Sequence, residues 1–188
     1  MRVGLVQLCS SDDPAANLAV AEALARAAAA GGAGLILTSH RESAVFRPGD
    51  RAVVAQAGPA RLGLSICYDL RFPELYRALA RAGAEVIAVP AAFTVPTGRA
   101  HWETLLRARA IEAGAFVLAP AQSGEHAASE AARRRTWGHS LAIGPWGEVL
   151  ADGGEPVGVT LVDLALAEVG RARTRVPALL HDRPFAGP

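Results

Sequence analysis

Ten consecutive residues, Ser65-Ile66-Cys67-Tyr68-Asp69-Leu70-Arg71-Phe72-Pro73-Glu74, could carry out covalent chemistry. An apolar stretch runs into a cysteine, then a polar turn, then a proline placed to open a helix. A thiol attacks a carbonyl as the thiolate, and a helix N-terminus favours that form because its unpaired N–H groups carry partial positive charge. Backbone N–H groups of a tight turn can also hold the oxyanion that forms on the substrate. A cysteine nucleophile needs a base and a partner that orients it or stabilises the oxyanion. Glu42, Glu74, His40, Glu103 and His139 are the candidate bases, and the sequence does not rank them. The competing reading is a small buried hydrophobe at a strand end. The flanking run Tyr68 to Glu74 is costly to bury without purpose, which favours the nucleophile.

The elements that must position this cysteine follow from periodicity and breakers. Val3 to Leu8 reads as a buried strand, and Asp12-Asp13-Pro14 starts a helix over Asn17 to Ala30 that Gly31-Gly32 stop. Leu35 to Leu37 is a second short strand, which completes a βαβ-like unit. Arg51 to Ala57 and Arg61 to Ile66 form a hairpin around Gly58-Pro59. Alternation of Leu62, Leu64 and Ile66 predicts one buried face. Pro73 to Arg81 is a helix, Val86 to Val89 a strand, His101 to Ala113 a helix stopped by Gly114, and Phe116 to Pro120 a strand. Gly124 to Arg135 reads as a mobile loop. Ser140 to Ile143 and Glu148 to Ala151 form a hairpin around Gly144-Pro145-Trp146-Gly147, Val157 to Asp163 is the last strand, and the tail from Val176 wraps a surface. Helices alternate with strands early and hairpins come late, which predicts an α/β chain of two face-to-face sheets with helices outside.

Composition narrows the function classes. The 188 residues suit one domain, 1–188, with a sizeable core. A formal net charge of +1 provides no long-range field for nucleic acid or an anionic membrane. Arg133-Arg134-Arg135 reads as a solvated loop. Cys9 and Cys67 are the two cysteines, too few for a disulfide framework, which points to reduced thiols and a cytoplasmic address. Met1 to Leu8 lacks the apolar length of a signal peptide, and Asn17, Glu22 and Arg26 interrupt the alanine-rich segment that follows. All 19 Lys+Arg residues are arginine; the sequence contains no lysine.

Several blocks in order resemble the nitrilase superfamily of carbon–nitrogen hydrolases, in the branch of small-amide hydrolases. They are Val3-Gly4-Leu5-Val6-Gln7, Arg41-Glu42-Ser43 with Pro48-Gly49-Asp50, Arg61 through Leu75, Pro96-Thr97-Gly98, His101-Trp102-Glu103, Leu106 through Glu112, Gly138-His139-Ser140 and Pro145-Trp146-Gly147. The resemblance implies an α-β-β-α sandwich and pairing through outer helices. It also implies a reaction without metal or cofactor, in which Cys67 forms a thioester with a small linear amide. Glu42 matches a second glutamate that orients the set. Tyr68, Phe93 and His40 are the expected substrate-binding residues, with core packing the alternative for Phe93.

The chain also departs from the family pattern. The family's general-base glutamate ends the second strand, where this chain reads Leu37-Thr38-Ser39-His40. The block that would follow, with its oxyanion-stabilising lysine, is missing near 39–41, so the sandwich is truncated there. Removing one oxyanion donor typically costs roughly 100- to 1000-fold, and removing a general base a similar factor. Three readings follow: a weak or silent amidase, a non-catalytic relative kept for binding or dimerisation, and a rewired Cys67–His40 pair acting on activated esters. Arg107, Arg109 and Glu112 read as an ion-paired helix face, Trp102 as core, and His139 as a donor to a backbone carbonyl.

Overall fold

The computed structural model describes residues 1–38, 49–126 and 134–187. Two sheets lie face to face with helices outside. The smaller sheet has the order β11-β1-β2, with β1 (Arg2–Gln7) parallel to β2 (Leu35–Thr38) and antiparallel to β11 (Gly158–Asp163). The larger has the order β10-β9-β6-β5-β4-β3 and comprises β3 (Val53–Ala57), β4 (Ala60–Leu64), β5 (Val86–Ala88), β6 (Phe116–Ala119), β9 (Leu141–Ile143) and β10 (Val149–Asp152). Its central strands β4, β5 and β6 are parallel. Strands β5, β6 and β9 are buried along their whole length, which is why they read as unbroken apolar runs.

Helix α1 (Pro14–Ala30) covers the smaller sheet. Asp13 caps it, accepting from the N–H groups of Ala15 (2.9 Å) and Ala16 (3.2 Å), and Pro14 pre-sets the first turn. Gly4 lets this helix lie close, since a Cβ there would stand 2.8 Å from that of Ala28. Helices α2 (Pro73–Arg81) and α3 (Val95–Ala113) cover the larger sheet. Val3, Leu5, Leu62, Val86, Phe116 and Leu118 fill the space between the sheets. Tyr76, Leu79, Ile87, Trp102, Leu106 and Val117 fill the space under α2 and α3. The layers are therefore α-β-β-α. No helix among the described residues is long and apolar enough to cross a membrane.

The structure differs from the sequence expectation in four places. Helix α3 starts at Val95 rather than His101, with Pro96 in its first turn. Gly98 sits in its second turn because the Trp137 side chain lies 2.2 Å from where a Cβ would be. Part of the expected loop is a hairpin of β7 (Ser123–His126) and β8 (Arg134–Trp137), with residues 127–133 outside the description. A helix α4 (Ala167–Arg175), unexpected from sequence, follows β11. Finally, of the three alternating residues on β4 and beyond, only Leu62 is buried. Leu64 is 44% exposed and Ile66 50%. Alternation gives the face but not what covers it, and the facing sheet has three described strands against six.

Gln7 ties the layers together at the end of β1. Its Nε2 donates to the carbonyls of Gly154 (2.9 Å) and Pro156 (2.7 Å), and its Oε1 accepts from the N–H and hydroxyl of Ser140, both at 2.8 Å. The side chain is buried, so its removal strands several polar groups away from water. Gln7→Leu should therefore destabilise the fold by about 3 kcal/mol. Urea denaturation followed by circular dichroism would show this as a lower midpoint with an unchanged slope.

Candidate active site

Strand β4 ends at Leu64, and the chain turns at Cys67 into a 3-10 turn over Cys67–Arg71 that leads through Phe72 to α2. Cys67 has φ +43°, a left-handed conformation uncommon outside glycine that costs about 1–3 kcal/mol for a side-chain-bearing residue. Hydrogen bonds on both sides hold it. The Cys67 N–H donates to the Pro90 carbonyl at 2.8 Å. The Asp69 carboxylate accepts from the Ile66 N–H at 2.9 Å, and the Asp69 N–H donates to the Ile66 carbonyl at 2.9 Å. In a 3-10 turn the first N–H groups have no partner within the turn, which makes the Tyr68 N–H a candidate oxyanion donor.

The turn stands at the C-terminal edge of the parallel strands, where open α/β sheets place their ligands. Phe93 follows β5 at the same edge. It is buried against Trp102, ring centroids 4.9 Å apart, so most of it is core. Its ring also meets the Arg71 guanidinium at 5.4 Å, and Arg71 lies 5.5 Å from the Tyr68 ring on its other side. Tyr68 is 64% exposed and edges Phe72. Cys67, Tyr68, Arg71 and Phe93 thus share one rim. His40 and Glu42, the other two expected site residues, lie outside the described residues.

Of the remaining candidate bases, Glu74 is exposed in the first turn of α2, and Glu103 and His139 are engaged elsewhere. Glu103 pairs with Arg107 at 3.2 Å along α3. His139 Nδ1 faces the Asp152 carboxylate at 3.0 Å, and its ring stacks on Trp137. The carbonyl donor expected at this position is its backbone N–H, which reaches the Gly154 carbonyl. Trp102 is core as expected and donates its indole N–H to the His139 carbonyl at 2.7 Å. Among the described residues no group of three or more His, Cys, Asp or Glu could hold a metal ion.

Arg109 is the residue whose place the sequence reading missed. It is 5% exposed, and its Nε and Nη2 both donate to the Leu70 carbonyl, at 3.1 and 2.9 Å. The signal was available: Gly98, Trp102, Leu106, Arg109, Ala110 and Ala113 form the buried stripe of α3, and Arg109 is the one charge on it.

The geometry leads to the comparisons. Residues 38–174 match the family model described as Carbon-nitrogen hydrolase. The chain belongs to the carbon–nitrogen hydrolase family. It is 46% identical over 144 residues to the deaminated glutathione amidase of Yersinia enterocolitica, covering 77% of this chain and 49% of that protein. The chain thus spans about half the length of the curated relatives it matches. Among solved structures, the C. elegans NitFhit protein superposes with a TM-score of 0.77 at 25% identity, over 97% of this chain and 65% of the other. A mutant amidase from Nesterenkonia sp. AN1 gives a TM-score of 0.81 at 23% identity, over 97% and 94%, a likeness that speaks to the fold alone. The nitrilase-type sandwich is therefore the fold of this family member, including residues 1–37 that precede the family match.

Beneath the turn, Tyr76 is fully buried and shares a 2.9 Å hydrogen bond with the Ser65 hydroxyl, which also bonds the Ala88 carbonyl at 2.8 Å. Burial pushes the Tyr76 phenol well above its ordinary value, with the Ser65 hydrogen bond opposing weakly. The unfolded chain therefore releases this proton first, and stability is lost as pH rises past about 10, the ordinary phenol value. In a Tyr68→Phe protein, where Tyr76 is the remaining tyrosine, phenolate absorbance should appear only together with unfolding. Titration of absorbance and circular dichroism in the same sample checks this.

Proposed function

We propose that Cys67 is the nucleophile of an amide-cleaving site in this carbon–nitrogen hydrolase, and that its turnover is slow. The observation that carries the reading is the left-handed backbone at Cys67, held by the Pro90 carbonyl at the edge of the parallel strands. Strained backbone at a strand-to-helix turn is the kind of position where a fold presents a nucleophile.

In this reading the thiolate attacks the carbonyl carbon of a small linear carboxamide, and a C–S bond forms. The oxyanion that results takes a hydrogen bond from the Tyr68 N–H. The C–N bond then breaks, the nitrogen takes a proton from solvent water, and ammonia or an amine leaves. Water attacks the thioester carbon, the C–S bond breaks, and the product acid and the thiol are released. In this reading Glu42 is the orienting carboxylate, Tyr68 and Phe93 line the acyl site, and His40 is a further substrate-binding residue. Relatives named deaminated glutathione amidase support an amide of a small, carboxylate-bearing acid as substrate. The whole chain, 1–188, acts as one unit without metal or cofactor.

Slow turnover follows from the missing helpers. No lysine exists in the sequence to stabilise the oxyanion, and Leu37 is followed in sequence by Thr38, Ser39 and His40, where the family pattern has a glutamate. The same absence favours a second reading, a non-catalytic binding protein. Incubation with short omega-amides decides between them. The expected result is ammonia release that Cys67→Ala abolishes, at a rate roughly 100- to 1000-fold below that of a site with a full oxyanion set, and an acyl adduct on Cys67 by mass spectrometry. No ammonia and no adduct above the Cys67→Ala control would leave the binding reading.

The chain also carries the features of a self-associating protein. Ile111, Val176 and Leu180 are exposed around a pocket of about 340 Å³ near the ends of α2 and α3 remote from Cys67, and Phe185, in the tail that follows, is exposed as well. Sedimentation velocity should give a dimer, and Leu180→Asp with Phe185→Asp should shift it to monomer; a native monomer at micromolar concentration would remove this part of the reading.

A further inference from the structure

We infer that Arg109 is a positioning residue for Cys67: it keeps the sulfur-bearing turn in its left-handed state by gripping the carbonyl at the turn's far end. The inference rests on the reading of Cys67 as nucleophile.

Arg109 occupies an unusual place for a cation. It lies on the buried stripe of α3, between Leu106 and Ala110, with both of those residues fully buried. Every nitrogen is engaged. Nε and Nη2 hold the Leu70 carbonyl, Nη1 meets the Glu112 carboxylate at 3.0 Å, and the guanidinium lies 5.5 Å from the Tyr76 ring. A buried ion pair is a weak source of stability, because desolvation offsets much of the attraction, and apolar residues of similar volume often serve as well. The bidentate grip on one carbonyl is specific to the guanidinium fork, which a lysine cannot reproduce.

That carbonyl is well chosen. The turn begins at Cys67, whose N–H is fixed to Pro90, and Leu70 lies three residues on with its side chain fully buried. Relaxing Cys67 to an ordinary φ would require the peptides between these two anchors to rotate. With the Leu70 carbonyl held by two N–H groups, such rotation breaks both. Arg109 also packs on Tyr76, whose hydroxyl reaches Ser65 on the other side of Cys67. One helix thus secures both flanks of the sulfur without needing to touch it.

Site-resolved alkylation with iodoacetamide tests this, because Cys9 is an internal reference in the same chain. Cys9 is exposed, and its thiol donates to the Glu125 carbonyl far from the turn in sequence. Native protein is read first, at 25 °C and well below its melting temperature. Cys67 reacting no faster than Cys9 removes the nucleophile reading, and this inference with it. With Cys67 fast in the native protein, R109M should lower the Cys67-to-Cys9 rate ratio at least tenfold, and R109K, which restores the charge and one hydrogen bond, should recover part of it. A purely structural role lowers the melting temperature and leaves the ratio unchanged. An unchanged ratio in R109M therefore overturns the inference while leaving the nucleophile reading intact. If R109M does not fold, R109K alone decides: a folded protein with the native ratio overturns the inference, and a ratio lowered threefold or more supports it.

Discussion

The left-handed backbone at Cys67 is the constraint around which the larger sheet and its helices are arranged. At φ +43° the residue sits about 1–3 kcal/mol above an ordinary conformation, so the surroundings must over-determine it. They do so from three elements. The end of β5 supplies the Pro90 carbonyl, the turn supplies its own Asp69 carboxylate, and α3 supplies Arg109. Each contact is local and modest, and each depends on an apolar layer being in place. Leu70, Tyr76, Leu79, Trp102 and Leu106 fill that layer completely. Packing of α2 and α3 on the sheet is therefore what fixes the sulfur.

The two halves of the sandwich are unequal, and the inequality falls beside this turn. The larger sheet is backed along β5, β6 and β9 by apolar residues on both faces, whereas the facing sheet covers only part of it. Ala60 and Leu62 on β4 are covered; Leu64 and Ile66, approaching Cys67, are not. Val53, paired with Leu64 across the hairpin, is exposed as well. The rim near the sulfur is accordingly apolar and aromatic, with Tyr68 and Phe72 continuing it. Gln7 compensates on the opposite side by bonding β1 to the segments that flank β9 and β10, so that the smaller sheet is held by polar contacts as well as by its core.

Much of this was legible in the residues, and the gaps have physical causes. The turn could be read because a strand, a cysteine and a Pro73 helix start are all local signals. Helix α1 was legible for the same reason, with Asp13 and Pro14 at one end and paired glycines at the other. The start of α3 was not, because Pro96, Thr97 and Gly98 look like loop residues, and only the Trp137 side chain on Gly98 explains why a helix runs through them. Strands β7 and β8 are short and polar, and their pairing is fixed by a tertiary feature: His126 bridges the Ser10 carbonyl and the Thr136 hydroxyl. Helix α4 buries little beyond Val169 and Ala172, too weak a pattern to see. Within the site, Cys67 and Tyr68 could be placed from sequence. Arg109 could not be told from an exposed partner of Glu112 until the whole buried stripe of α3 was considered, since ion-pair spacing alone describes both cases.

The contacts that hold the turn fall on one side of the junction between the second and third strands. Pro90, Asp69, Leu70, Ser65, Tyr76 and Arg109 all lie after that junction, in the larger sheet and its two helices. Among the described residues, the placement of Cys67 is therefore set by the larger sheet and its two helices. In physical terms, the position of the sulfur is fixed geometry of the kind that positional catalysis relies on, and the larger sheet and its helices supply it.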